Sequence, residues 1–191
     1  MVSSKSRKER RAKLLSDKQY SIPRVLNSKW YFSTFQNRKK NFQNTFYKFN
    51  VFETIQEMWS YFHTLSSLII SKGDQFTLSL MKEPFLPTWE TNPKGGTLRF
   101  MLPLSLSPAD LLEIWSQCCS LICSESLGNK ICGVSMRPSY GKNQTAITIW
   151  LKVSKLSPIN YIKLKQQLQD EIPFFQNIGD GSFIANAQKL H

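Results

Sequence analysis

Bulky and small residues alternate over residues 28–35, and a similar alternation runs over 42–49, with the polar, basic stretch 36–41 between them. Period-two patterning marks half-buried strands, so the two runs predict a β-hairpin. Over residues 53–65 the period changes: Ile55, Met58, Trp59 and Phe62 recur at i, i+3, i+4 and i+7, the apolar stripe of an amphipathic helix. Core packing accounts for Met58 and Phe62 in that stripe. Alternation returns over 75–81, and an irregular, proline-containing loop follows over 82–94. A Lys-Gly-Gly turn then leads into the apolar run 98–104, read as a strand. Ser107 as N-cap, Pro108 at the first helical position and Asp110 three residues after the cap predict a helix through Trp115 to about residue 126. Residues 131–136 and 145–153 read as paired strands. A third helix opens at Ser157-Pro158 and ends before Pro173, after which 174–184, containing Gly179 and Gly181, reads as loop with short strands. The order of elements predicts a single-domain α+β fold, a curved antiparallel sheet with the helices gathered on one face.

Composition narrows the picture. With 191 residues, 41% of them hydrophobic and 24 aromatic, the chain suits one domain with one core. The formal charge of +12 is uneven: residues 1–18 hold seven basic and two acidic side chains, leaving +7 on the body. Residues 1–22 read as a disordered basic arm, with 23–191 as the folded domain. A basic body points to an acidic partner such as nucleic acid or a membrane surface. No stretch approaches the ~18 apolar residues of a membrane span, and no apolar h-region follows the N-terminal charges, so the chain reads as soluble and unsecreted. Cys118, Cys119, Cys123 and Cys132 contain no CxxC spacing and the chain has two histidines, so buried, reduced thiols are expected rather than a zinc site.

The chemistry concentrates in EPFLPTWETNPKGG, residues 83–96. Trp89 offers a flat π-face and Glu90 two acceptors suited to the adjacent N–H donors on the Watson–Crick edge of guanine. An N7-methylated, cationic guanine would add a cation–π term of ~0.5–2 kcal/mol to the stacking. Three classes compete: a binding module for a methylated guanine nucleotide, a general single-stranded RNA binder with sequence-tolerant stacking, and a nucleotide enzyme. For an enzyme the sequence offers no metal constellation, Gly-rich phosphate loop or nucleophile–base pair, and His63 and His191 read as a packed or solvated side chain and a chain end.

Six segments in order, residues 30–35, VFETIQEMW, PTWE, the helix around Trp115, CGVSMR and ITIW, resemble the translation initiation factor 4E family. The match spans about residues 25–175. The resemblance implies a cupped sheet backed by three helices, binding of the 7-methylguanosine cap of mRNA in the cytoplasm, and no catalysis, metal or cofactor. It implies that Trp89 and Glu90 stack on and read the guanine, that Arg137 contacts the phosphate bridge and that the edge of Trp150 lies near the methyl group. The first stacking position, ten residues before Phe52, is Phe42 rather than Trp, and Phe46 is the alternative on the same hairpin. A phosphate-facing lysine position is Ala146 here, and Lys142, on the loop between Arg137 and Trp150, is the substitute; Lys39 and Lys40 are further candidates. Ile55, Trp59 and Val25 match the dorsal face, where a helix of an initiation factor 4G-type scaffold or a 4E-binding repressor docks on a monomer. That face departs from the family at Arg24-Val25-Leu26 and at Ser116.

Overall fold

The computed structural model describes residues 22–37, 44–72, 76–88, 90–103, 106–139, 144–153, 157–172, 174–175 and 182–185. Among these, seven strands and three helices follow one another: β1 (Val25–Asn37), β2 (Asn44–Thr54), α1 (Ile55–Lys72), β3 (Phe76–Lys82), β4 (Gly96–Pro103), α2 (Pro108–Cys123), β5 (Ile131–Ser139), β6 (Gln144–Leu151), α3 (Pro158–Glu171) and β7 (Ser182–Ala185). The strands form one sheet in the order β2-β1-β3-β5-β6-β4-β7, antiparallel at every seam. The predicted α+β architecture is the observed one: a single curved antiparallel sheet with three helices. Residues 36 and 37 of the predicted turn belong to β1, and the rest of that turn, with residues 1–21 of the predicted arm, lies outside the described residues.

Three helix boundaries differ from expectation, two of them for a local reason. Glu53 and Thr54 close β2 rather than open α1, because Thr54 caps the helix: its hydroxyl accepts from the Glu57 amide at 3.2 Å. The Glu57 carboxylate in turn accepts from the amides of Glu53 and Thr54 at 3.0 and 3.1 Å. These reciprocal bonds satisfy donors that a helix start leaves open. The helix then runs on to Lys72. The predicted box at Ser107 and Asp110 is present in both directions, with Pro108 in the first turn. That helix ends at Cys123 rather than near 126, where Glu125 takes a positive φ of 57°.

Sheet parity sorts the residues onto two faces. Leu98, Phe100 and Leu102 of β4, Val134 and Met136 of β5, and Ile147 and Ile149 of β6 face the helices and are buried. They meet Met58 and Phe62 of α1, Ile114 and Trp115 of α2, and Leu164 and Leu168 of α3. Cys118, Cys119 and Cys123 are buried in the same core, and all four cysteines are unpaired. A separate cluster, Tyr31, Met81 and Cys132 with Phe46, Phe85, Leu86 and Trp150 around it, forms away from that core. The register between β5 and β6 slips by one residue between Ile131 and Gly133. Ile131 joins the main core while Cys132 joins the second cluster. No helix among the described residues is long and apolar enough to cross a membrane.

Candidate nucleic-acid interface

The face turned away from the helices carries a row of polar side chains across five strands. Ser33, Ser79, Ser135, Thr148 and Arg99 are successive register partners from β1 through β3, β5 and β6 to β4. At its centre the hydroxyls of buried Ser79 and Ser135 lie 2.7 Å apart, and the Trp150 indole N–H donates to the Ser135 hydroxyl at 2.7 Å. Trp150 is half-buried, so this bond fixes the plane of an indole that still presents surface. Arg137 stands exposed on β5 and its register partner is Ala146, which is buried. The position where a lysine was expected by resemblance therefore adjoins Arg137 directly and contributes no charge.

Glu90 belongs to the loop between β3 and β4 and is exposed. Several bonds hold that loop to the sheet. The Glu83 amide donates to the Lys29 carbonyl at 2.9 Å, and the Glu83 carboxylate pairs with Lys48. The Tyr31 hydroxyl donates to the Phe85 carbonyl, while the Lys48 ammonium sits 4.3 Å from the Tyr31 ring centre. Burial, and secondly the nearby Glu83 charge, push the Tyr31 phenol well above its ordinary value, so it acts only as a neutral donor here. Lys152 lies 5.3 Å from the Phe85 ring centre. The Thr91 hydroxyl donates to the carbonyl of Thr88 at 3.2 Å, tightening the loop across residue 89.

The structure thus brings Trp150 and Arg137 to one face and anchors the loop that carries Glu90. Phe42, Trp89 and Lys142, with Lys39 and Lys40, lie outside the described residues. Phe46 packs on Phe35 with ring centres 4.9 Å apart, and it borders the Tyr31 cluster. Three residues of this face were not singled out from sequence. Arg99 was hidden in a stretch read as uniformly apolar, although the alternation of Thr97, Arg99 and Met101 with Leu98, Phe100 and Leu102 assigns it a side. Its Nε is buried without a partner. Tyr31 and Lys48 act through contacts distant in sequence.

Of the residues matched to the dorsal face, Val25 lies at the head of β1, and Ile55 and Trp59 lie in the first turns of α1. The Ile55 amide donates to the Arg24 carbonyl at 3.0 Å, and the Arg24 amide to the Gln56 side chain at 3.0 Å, which fastens the head of β1 to the head of α1. Val25 is 74% exposed. Trp59, one turn along from Ile55, is half-buried, edge-on to Phe62 at 5.2 Å between ring centres. The Ser116 hydroxyl on α2 donates to its own helix, to the Glu113 carbonyl at 2.7 Å.

Among the described residues, a curved antiparallel sheet with three helices on one face and an anchored loop carrying Glu90 define the fold. The model of the eukaryotic initiation factor 4E family matches residues 25–183, and the chain belongs to that family. No curated protein matches the chain by sequence. Among solved structures it is similar to Ascaris suum eIF4E-3 in complex with an m7G cap, at 18% identity and a TM-score of 0.73 over 89% of this chain and 95% of that one. It is also similar to the schistosome eIF4E complexed with m7GpppG and 4E-BP, at 19% identity and a TM-score of 0.67 over 80% and 85%. Similarity extends to C. elegans eIF4E-3 in complex with the 4E-binding protein Mextli, at 17% identity and a TM-score of 0.68 over 80% and 88%.

Proposed function

We propose that this chain binds the 7-methylguanosine cap of mRNA and acts in translation initiation in the cytoplasm, recruiting a scaffold through Val25, Ile55 and Trp59. One observation carries the reading: a hydrogen-bonded Trp150, the exposed Arg137 and the braced loop of Glu90 belong to the sheet face that no helix among the described residues covers. On this reading Phe42 and Trp89 sandwich the methylated base, and the Glu90 carboxylate accepts from the two guanine N–H groups. Trp150 borders the methyl group. Arg137, with Lys142, meets the phosphate bridge. Stacking on Trp89 contributes ~1–3 kcal/mol, and the charged hydrogen bonds to Glu90 a similar amount. The relatives captured with cap analogues and 4E-binding proteins support the same assignment. A second reading, a cap-binding repressor that recruits no scaffold, is favoured by one feature, the polar Ser116 on α2 where the family resemblance expects Leu.

Retention on a methylated-cap resin, with elution by methylated but not plain guanine nucleotide, tests the proposal against general RNA binding. Glu90→Gln puts an amide donor against guanine N–H groups and should weaken cap binding more than about tenfold. Unchanged affinity in a folded Glu90→Gln protein would end the assignment.

A further inference from the structure

The loop that presents Glu90 has two ends, and they are held differently. Its leading end is tied by Tyr31, Lys48 and Lys29, all on β1 and β2. Its trailing end rests on Asn92. That side chain is 5% exposed, and its amide nitrogen donates to the Leu151 carbonyl at 2.8 Å, with the Cys132 sulfur 3.8 Å away. Leu151 directly follows Trp150 on β6. The same Asn92 accepts through its backbone carbonyl from the Gly95 amide at 2.9 Å, closing the turn into β4. Gly95 has no room for a side chain: a Cβ there would lie 2.0 Å from the Asn92 amide nitrogen and 2.4 Å from the Leu151 carbonyl oxygen. The glycine is what lets the carboxamide reach β6.

From this geometry we infer that Asn92, seated on Gly95, is a positioning residue that fixes the loop of Glu90 against the strand of Trp150. The inference rests on the proposed cap-binding reading for its functional consequence. The bond spans 59 positions of sequence and joins the loop, two residues past Glu90, to the strand that carries Trp150. Without it the loop keeps its leading anchors and swings about them. The two sides of the base site then lose their common register, and the cost falls on ligand affinity rather than on the core, since the helix-facing side of β6 is untouched.

Two variants break the contact from opposite sides. Asn92→Ala removes the donor; Gly95→Ala keeps every polar group but crowds both the carboxamide and the Leu151 carbonyl of the β6 backbone. In the full chain each should weaken binding of a methylated cap dinucleotide, read by fluorescence titration, by roughly tenfold, about 1.4 kcal/mol. Amide hydrogen exchange across residues 86–95 should accelerate in both, while exchange in α1 and α2 stays as in the unmodified chain. Unaltered exchange across 86–95 in both variants would overturn the inference, as would loop loosening with full cap affinity in a chain that binds cap. Equal acceleration throughout the molecule would also overturn it, showing a merely structural role. If the unmodified chain fails to bind cap, the proposed function falls instead, and the exchange measurement still decides whether Asn92 fixes the loop.

Discussion

Ser135→Ala should be disproportionately costly for the removal of one oxygen. Ser135 is 5% exposed, and its hydroxyl serves two partners, the Trp150 indole N–H at 2.7 Å and the Ser79 hydroxyl at 2.7 Å. Alanine leaves the shape almost unchanged and strands both. The indole donor cannot rotate to a new acceptor, and a buried unsatisfied donor costs about 1–3 kcal/mol. The Ser79 hydroxyl can rotate, so its share is smaller. Ser79→Ala, by contrast, breaks one hydroxyl pair and leaves Trp150 bonded, which should cost ~0.5–1.5 kcal/mol. In a chain of this size each kcal/mol shifts the midpoint by about 2–4 °C, so thermal unfolding followed by circular dichroism resolves the two. A double-mutant cycle sharpens the test: with Trp150→Phe the indole donor is gone, and Ser135→Ala should then cost at least ~1 kcal/mol less. A Ser79→Ala protein that melts at or below Ser135→Ala, or a cycle with no coupling, would refute the reasoning.

Three further outcomes follow from the structure. Trp59→Ala should leave cap binding within about twofold, because Trp59 packs on the helix side of the sheet and Trp150 on the other, yet abolish capture of a helical scaffold or repressor peptide in a pull-down; equal peptide recovery would disprove the dorsal assignment. Gly133→Ala would set a Cβ 2.3 Å from the Met81 sulfur and 2.6 Å from the Leu80 carbonyl oxygen, and should lower stability by ~1–3 kcal/mol in urea titration. Bonds from the Glu53 amide, and then from Thr54, hold the Glu57 carboxyl below its ordinary value of 4.5, so the stability it supplies is present above that pH and fades as pH falls through its folded value. Glu57→Gln should therefore flatten the acid limb of the unfolding profile below about pH 5, and an unchanged limb would show that the cap is energetically idle.

Much of this fold was legible where the signal is local. Ser107, Pro108 and Asp110 lie within four residues, and the capping box they specify is present. A second box was equally readable and passed over: Thr54 to Glu57 reads T-x-x-E, and it sets the start of α1 two residues later than the apolar stripe suggested. Strand positions followed alternation closely, but alternation in β4 was mistaken for a uniform apolar run, which concealed Arg99. What could not be read is the bracing of the candidate site. Tyr31 reaches the Phe85 carbonyl 54 residues away, and Asn92 reaches Leu151 across 59. Such bonds depend on which strands become neighbours, and the order β2-β1-β3-β5-β6-β4-β7 is not encoded in any short window.

The placement of the four cysteines gives the molecule a built-in clock for its own opening. All four thiols are buried, and burial pushes Cys118 and Cys132 up to about 12 and Cys119 and Cys123 well above their ordinary range. An alkylating reagent at neutral pH meets neither an accessible sulfur nor a thiolate, and so modifies the chain only when it breathes. Cys118, Cys119 and Cys123 report separation of α2 from the sheet, whereas Cys132 reports events on the other side, next to Asn92 and Tyr31. Labelling rates resolved cysteine by cysteine would therefore tell, without any introduced probe, whether the helical side and the opposite side of the sheet loosen together or one before the other.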